Sequence, residues 1–294
     1  MRNDLPMMND APAGAVVLAA SPEAAAFYRD VLVRLTAARI PFVVGGAYAF
    51  AAYTGIDRRT KDIDLFVRRD DWERIERAAT DAGWRVELTH PHWLGKIHDG
   101  FQEDSEFVDL IFRSANGLAE VDDGWFAHAR PASVLGVDVL LAPVEETIQS
   151  KSFVMERERY DGADVAHLLH ACAPTLDWTR LLARYGAHWR VLLSHLVLFG
   201  YVYPAERSLV PSWVMDLLVA RLRDETHAPP PADATVCRGT LLSREQYLHD
   251  VEREGYDDGR AAPHGTLTPQ DIAAWTEQIP ARQEPASPDA AAGS

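Results

Sequence analysis

Residues 61–68 read KDIDLFVR, and this stretch decides the predicted fold. Its aliphatic residues occupy every second position, which is the period of a β-strand. The two acidic residues, Asp62 and Asp64, therefore point to one face of that strand. A carboxylate in an otherwise apolar strand is costly to bury unless it is paired or bound to a metal, so the two aspartates indicate a functional site.

A pair of glycines precedes this strand. Residues 41–44 read PFVV, a short buried strand, and Gly45 and Gly46 follow it directly before a helix over residues 47–54. Glycines at the start of a helix let backbone N–H groups approach phosphate oxygens. The order of strand, glycine turn and helix is therefore typical of a phosphate-binding turn.

A third carboxylate lies in a later apolar stretch, residues 106–113, which read EFVDLIFR. Asp109 in this predicted strand can join Asp62 and Asp64 if the two strands lie side by side. Magnesium prefers hard oxygen ligands, so carboxylates on neighbouring strands suit a site for two such ions. Divalent metals hold a triphosphate and stabilise phosphoryl transfer, and the three aspartates predict that chemistry.

The combination resembles the DNA polymerase β-like nucleotidyltransferase superfamily, whose signature is Gly-Gly or Gly-Ser, then Asp-x-Asp, then a third Asp on a later strand. The matching residues are Gly45, Gly46, Asp62, Asp64 and Asp109. Residues 59–65, which read RTKDIDL, look like bacterial branches that include AbiEii-type toxins and antibiotic-modifying enzymes. The resemblance covers residues 40–109 well and extends more loosely to residue 169.

This resemblance implies a mixed α/β fold and a role for each motif residue. In the family the first two aspartates, here Asp62 and Asp64, bind both metal ions. The third, here Asp109, binds the catalytic metal and helps to activate the acceptor hydroxyl. Many members hold the triphosphate with a serine where Gly46 stands, so phosphate binding here depends on backbone amides and basic side chains. Lys151 resembles a family lysine that reaches the triphosphate, with a surface lysine as the alternative.

Several charged or polar residues flank these motifs. Thr60 is expected to brace the turn before the strand, and Arg59 and Lys61 are placed to contact phosphate or acceptor, although charged strand ends are usually only solvated. Asp161 and Asp164 are explained as well by a charge cluster at a helix end as by an acid/base role. The candidate nucleotide-binding residues are Gly45, Gly46, Thr60, Lys61 and Lys151.

Other classes of site lack their signatures. His90, His92 and His98 do not have the spacing of a helical zinc-binding pair and fall in a predicted loop. No Gly-x-Ser-x-Gly elbow supports a hydrolase. Cys172 and Cys237 lie far apart in sequence, which favours neither a disulfide framework nor a thiolate metal cluster and points to a reducing, cytoplasmic location.

Charge and hydropathy restrict the partners. The chain has 294 residues and a formal net charge of −15, with 44 acidic against 29 basic residues. Without a dense basic run, extended nucleic acid is disfavoured, and a compact or cationic acceptor is favoured. No apolar stretch is long enough to span a bilayer, so no membrane partner is expected.

The pattern of elements predicts a division of the chain near Pro143. Strands and helices interleave before it, and helices follow it, the first of them expected to continue through Lys151 to Arg159. Later helices are predicted to begin at Ser243 and at Thr268. The expected segments are a flexible leader (1–20), a nucleotidyltransferase catalytic domain (21–142), a helical domain (143–227), a linker with a C-terminal helical segment (228–280) and a disordered tail (281–294).

The function that follows is transfer of a nucleoside monophosphate from a triphosphate to an acceptor hydroxyl, with two Mg²⁺ ions, or Mn²⁺, as cofactors. A small-molecule acceptor is slightly favoured. One alternative is a toxin-type enzyme that acts on tRNA or protein and has an antitoxin as partner. Another is a catalytically inactive nucleotide-binding module, against which the presence of all three carboxylates argues.

Overall fold

Seven strands form one mixed sheet in the computed structural model, which describes residues 21–100, 102, 105–230 and 235–276. The strands are β1 (Val43–Val44), β2 (Asp62–Phe66), β3 (Arg85–His90), β4 (Leu94–His98), β5 (Phe107–Ile111), β6 (Arg130–Val134) and β7 (Val137–Leu141). Their order in the sheet is β3-β4-β5-β2-β1-β7-β6. The predicted mixed α/β fold is therefore confirmed, and the candidate carboxylates occupy the two strands at its centre.

The pairing of β2 with β5 explains the amphipathic pattern of the central strands. The two strands run parallel, while β1 and β4 flank them in the antiparallel direction. Ile63, Leu65, Val108 and Leu110 have no exposed surface and pack in one core with helices α1 (Pro22–Ala37) and α3 (Trp72–Thr80). Since side chains alternate along a strand, the aspartates between them face the other side of the sheet.

Helix α2 (Gly46–Thr54) joins the sheet to the helical part of the chain. Tyr48 belongs to the core beside the sheet, whereas Phe50 packs in a second core with Ile148, Val165 and Leu168. This helix is thus buried from two sides and fixes the position of the glycine turn at its start.

The second core is formed by helices that follow the sheet. They are α5 (Val144–Ser152), α6 (Gly162–Cys172), α7 (Trp178–Tyr185), α8 (Trp189–Val202) and α9 (Ser212–His227). A short helix, α4 (Asp123–Ala127), lies earlier, between β5 and β6. Strand β7 ends at Leu141 and α5 begins at Val144, which is where the sequence pattern changes; the division into domains stays a prediction.

The predicted extension of the first of these helices to Arg159 is wrong. Helix α5 ends at Ser152, whose carbonyl oxygen lies 2.9 Å from His195 Nε2. Beyond it, the Met155 amide donates to the carbonyl of Leu242. Beyond Ser152 the backbone therefore bonds to distant parts of the chain and no longer within the helix. Buried backbone N–H and C=O groups need partners of one kind or the other.

The C-terminal part of the chain packs against the rest of the molecule. It contains β8 (Val236–Cys237), α10 (Leu248–Arg253), β9 (Asp257–Asp258) and α11 (Pro269–Thr276). The helix expected from Ser243 begins only at Leu248, since Ser243 Oγ donates to Glu156 and is held in a turn. The helix expected at Thr268 is confirmed, with Thr268 capping α11. The predicted leader and tail, with residues 231–234 and 277–280, lie outside the described residues.

The histidine-containing stretch is a hairpin, which corrects the predicted loop. His90 ends β3 and His98 ends β4, and the two strands pair in the antiparallel direction. Sequence analysis missed the hairpin because apolar and polar residues do not strictly alternate in this stretch. None of the helices in the described parts of the chain combines the length and apolar character needed to cross a bilayer.

Candidate active site

The three aspartates lie on one face of two adjacent strands. Asp64 in β2 and Asp109 in β5 are register partners, and Asp62 stands two positions before Asp64. Paired strands are separated by about 4.8 Å and side chains repeat every second residue, so these carboxylates share a small area of the sheet surface. The expected placement of all three on neighbouring strands is what the structure shows.

This area is the floor of a cleft of about 880 Å³ between the sheet, the helices after it and the C-terminal part of the chain. The sequence-predicted residues that line it are Gly46, Arg59, Thr60, Asp62, Asp64, Asp109 and Lys151. Gly45 and Lys61 are not brought into its lining. Lys61 is exposed, and strand alternation turns its side chain away from Asp62, while its carbonyl accepts a hydrogen bond of 2.7 Å from Tyr28.

The glycine turn places the start of α2 against the carboxylates. The Gly45 amide donates to the Asp64 carbonyl at 2.9 Å, which couples the turn to β2. Gly46 has a φ of +53°, and a Cβ atom built there would overlap Asp64 Oδ2. Glycine is therefore required at position 46 both by its backbone conformation and by the close approach of the carboxylate.

Two of the carboxylates have polar partners. Thr60 Oγ1 donates to Asp62 Oδ1 at 2.6 Å and so orients this carboxylate. Lys96 Nζ lies 2.9 Å from Asp109 Oδ1 because Lys96 is the register partner of Asp109 in β4. Sequence reasoning missed Lys96, since β4 itself was not predicted and a lone lysine there carries no motif.

The aspartates repel one another. The pKa of Asp64 is raised to about 7, first by desolvation and then by the charges of Asp62 and Asp109, while Lys151 and Arg159 act in the opposite direction. Desolvation also raises the pKa of Asp109 in spite of Lys96. A cation placed among these groups would relieve the repulsion.

The donor set consists of hard carboxylate oxygens and fits Mg²⁺ or Mn²⁺ in kind. Across the described residues, no three His, Cys, Asp or Glu side chains stand in a preformed metal-binding arrangement. Asp62 and Asp109 are instead oriented by Thr60 and Lys96. The carboxylates thus suit the metal chemically, and binding would exchange these polar partners for the ion.

One side of the cleft carries a cluster of cations, which we call the cationic half: Arg58, Lys151 and Arg159, with Asp161 and Asp164. Lys151 Nζ lies 2.7 Å from Asp164 and 3.3 Å from Asp161. Arg58 pairs with Asp164 at 2.5 Å, and Arg159 with Asp161 at 2.8 Å. The two aspartates stand at the start of α6, so they form the helix-end charge cluster that was one of the two predicted explanations. They are buried and hold three cations beside α2.

Another part of the lining, which we call the aromatic half, is formed by the β3–β4 hairpin and the C-terminal part of the chain. Its residues are Thr89, His90, Trp93, Leu94, Leu241, Leu242, Arg244 and Trp275. Its residues Leu242 and Arg244 also bond to Met155 and Glu156, close to Arg159. The rings of His90 and Trp93 are stacked with centroids 5.2 Å apart. The last four residues come from a region that composition alone described as a linker followed by helix, and no sequence signal placed it at the site.

A family model described as an uncharacterised nucleotidyltransferase matches residues 21–198. The chain belongs to this family. The match includes every residue of the carboxylate floor and of the cationic half, whereas residues 241–275 of the aromatic half lie beyond it. No curated protein matches the chain in sequence.

Solved nucleotidyltransferase structures are similar to the chain at low identity. The antibiotic-resistance factor ANT(2'')-Ia is 20% identical, with 58% of this chain and 95% of that chain covered and a TM-score of 0.40. A nucleotidyltransferase-like antigen of Paracoccidioides brasiliensis is 15% identical, with coverages of 64% and 92% and a TM-score of 0.43. The lincosamide adenylyltransferase LnuA is 13% identical, with coverages of 50% and 96% and a TM-score of 0.35.

Proposed function

We propose that this protein transfers a nucleoside monophosphate from a nucleoside triphosphate to a hydroxyl group of a compact acceptor, in a reaction that depends on Mg²⁺ or Mn²⁺. The observation that carries this proposal is the placement of Asp62, Asp64 and Asp109 on one sheet face, between the start of α2 and a cationic cluster. Phosphoryl transfer needs charge neutralisation and alignment, and these groups supply both.

The carboxylates would hold the metal ions. Asp62, Asp64 and Asp109 together would supply the oxygen ligands. When bound, the ions neutralise the triphosphate and lower the energy of the charge that develops during transfer. This assignment explains why three acidic side chains are kept together at the cost of mutual repulsion.

The cationic half would bind the triphosphate. Lys151 and Arg159 are oriented by buried aspartates, so their charges are fixed in direction before the substrate arrives. The backbone at Gly46 approaches the same region without the obstruction of a side chain. Fixed positive groups of this kind position an anion with little reorganisation.

The chemical step then follows from the geometry. The acceptor oxygen forms a bond to the α-phosphorus as the bond from that phosphorus to the oxygen bridging to the β-phosphate breaks, and pyrophosphate leaves. Asp109, at the edge of the carboxylate floor that borders β4, is placed to receive the hydroxyl proton. Lys96, 2.9 Å from the same carboxylate, keeps Asp109 oriented.

Incubation of the protein with each labelled triphosphate and Mg²⁺ or Mn²⁺, with and without cell extract, tests this function. We expect a labelled product that disappears in the D64N and D109N variants and persists in D81N, whose aspartate is exposed at the end of α3. Label on tRNA or on a protein would favour the toxin-type alternative. Tight nucleotide binding with no labelled product would favour the inactive module.

A further inference from the structure

The acceptor's place in the cleft follows from the strand order, given the proposed function. The cationic half surrounds α2, next to β1 and β2, and Arg58 and Lys151 lie over the ring of Phe50 in that helix. Asp109 stands on β5, on the far side of β2 from this cluster, and borders β4 and the aromatic half. If the triphosphate occupies the cationic half, the acceptor must approach from the aromatic half.

The lining of the aromatic half has a distinct chemistry. Of its eight residues, three carry aromatic rings, one is an arginine and none is acidic. Two polar atoms within this lining, Thr89 Oγ1 and Trp93 Nε1, are buried and have no hydrogen-bond partner in the described part of the chain. Both atoms are covered by protein, whereas the Trp93 and Trp275 side chains are half-buried and present ring surface to the cleft.

Trp275 is held in this lining by a defined set of contacts. Thr268 and Asp271 cap each other at the start of α11, and Asp271 lies 3.4 Å from Nδ1 of His92 in the β3–β4 turn. On its other side the Trp275 ring has the guanidinium of Arg260 at 5.7 Å, and Arg260 is completely buried. These contacts dock α11 on the hairpin and keep the indole at the cleft.

The same region is tied to the sheet close to the site. The Asn116 side chain donates to the Leu241 carbonyl at 2.8 Å, and Thr266 donates to the Gly117 carbonyl at 3.2 Å. Both contacts join the loop after β5, the strand that carries Asp109, to the C-terminal part of the chain. The aromatic half is therefore held in place by specific hydrogen bonds. Its C-terminal residues lie beyond residues 21–198, the part of the chain that matches the family model.

Among the described residues, the acidic side chains of the lining other than Glu158 are paired with cations or lie in the carboxylate floor or beside Arg244, so they offer little to a polycationic acceptor. Asp161 and Asp164 are engaged by cations, and Glu156 accepts from Ser243 and from the Arg244 amide. Glu158 is exposed at the cleft and adds a single charge. The carboxylates of the floor are assigned to metal ions, so the described lining near the aromatic half offers rings and the basic side chains of Lys96, Arg113 and Arg244.

We propose that the acceptor is a compact molecule with a planar aromatic ring system that bears the reacting hydroxyl or lies beside it, and that Trp275 and Trp93 determine this specificity by stacking. Offset stacking on indole rings favours flat π-systems. The expectation of a compact or cationic acceptor is thereby narrowed to a compact, aromatic one.

The test is binding of two sets of probes to the whole chain with Mg²⁺ and α,β-methylene ATP present, followed by saturation-transfer NMR and calorimetry. The first set contains hydroxycoumarins and flavonols, and the second contains tobramycin and kanamycin. The variants are W275A, W93A and the matched control W213A, whose indole is 48% exposed on α9. We expect aromatic probes to bind, with affinity about tenfold weaker in W275A and W93A and unchanged in W213A.

Affinity for the ATP analogue should stay constant in all three variants, which also shows that they are folded. Binding of aminoglycosides without aromatic probes, equal binding of aromatic probes to W275A, W93A and wild type, or binding of neither set would overturn the proposal. A loss of ATP-analogue affinity in W275A would assign the aromatic half to the nucleotide base and would overturn it as well. Aromatic binding without any transfer of label would instead contradict the proposed function and leave this specificity standing.

Discussion

The two halves of the cleft use opposite means to present a binding surface. In the cationic half, Arg58, Lys151 and Arg159 are fixed by buried carboxylates at distances of 2.5 to 3.3 Å. In the aromatic half, rings are placed by a hairpin turn and by a helix docked on it. Positive charges that are fixed before binding would suit a highly charged triphosphate donor, whereas aromatic rings would select an acceptor by its shape. On the proposed function, the difference means that donor binding and acceptor choice are built largely from separate parts of the chain.

The largest effect is expected at the floor between the halves. Replacement of Asp64 by Asn should reduce transfer below detection, because it removes a charge that the metal ions require. Product formation from labelled triphosphate is the measurement, with D81N as control. Transfer at the wild-type rate in D64N would show that the floor is not the reaction centre.

The Gly46→Ala substitution should have the next largest effect. The new Cβ overlaps Asp64 Oδ2 and the residue has a φ of +53°, so the carboxylate must move. Misplacement by about 1 Å can cost roughly a hundredfold in rate. The matched control is Gly55→Ala, which also has a positive φ but has no atom near its added Cβ, so it isolates backbone strain. Equal activity losses in G46A and G55A would refute the role of the overlap.

The cationic half is tested by Asp164→Asn. This change removes the charged partner of Arg58 and the nearer of the two charged partners of Lys151, which keeps Asp161 at 3.3 Å. Both cations are then held less firmly in direction. We expect the KM for the triphosphate to rise about tenfold with a smaller change in kcat, consistent with weaker positioning. Asp216→Asn, at an exposed position of α9, is the control. A lower KM in D164N would mean that Asp164 only weakens phosphate binding.

The smallest effect concerns stability and its dependence on pH. In the metal-free protein the pKa of Asp64 is about 7, against 3.8 as the ordinary value. Ionisation of Asp64 therefore lowers the free energy of unfolding. This loss is absent below about pH 4, grows between about pH 4 and pH 7, and is complete above about pH 7. The D64N variant should melt at nearly the wild-type temperature at pH 4 and be more stable at pH 8, by less than about 4 kcal/mol.

Melting curves across this range, with and without Mg²⁺, measure the difference. Mg²⁺ should stabilise the wild type more than D64N, since it binds the charged carboxylates. A difference between the proteins that is independent of pH would exclude ionisation of Asp64 as its cause.

The centre of the fold was predictable because local sequence decides it. The strands that carry Asp62, Asp64 and Asp109 show a clear alternation of apolar and acidic residues. Gly46 marks a turn whose close contact with Asp64 requires glycine. Lys96 was not predictable, since it depends on a strand register between β4 and β5. Trp275 depends on how the C-terminal part folds back, and its contacts with the hairpin are polar pairs far apart in sequence. Contacts between residues far apart in sequence produce no periodic pattern in the local sequence.

The most direct test of the account is a count of bound Mn²⁺ by electron paramagnetic resonance, in the presence of α,β-methylene ATP. The account predicts about two ions per wild-type chain, bound together with the nucleotide, and a clear loss of bound ions in both D64N and D109N. D81N should bind as the wild type does. Undiminished Mn²⁺ binding in D64N and D109N would contradict the assignment of these carboxylates to the metals and, with it, the proposed mechanism.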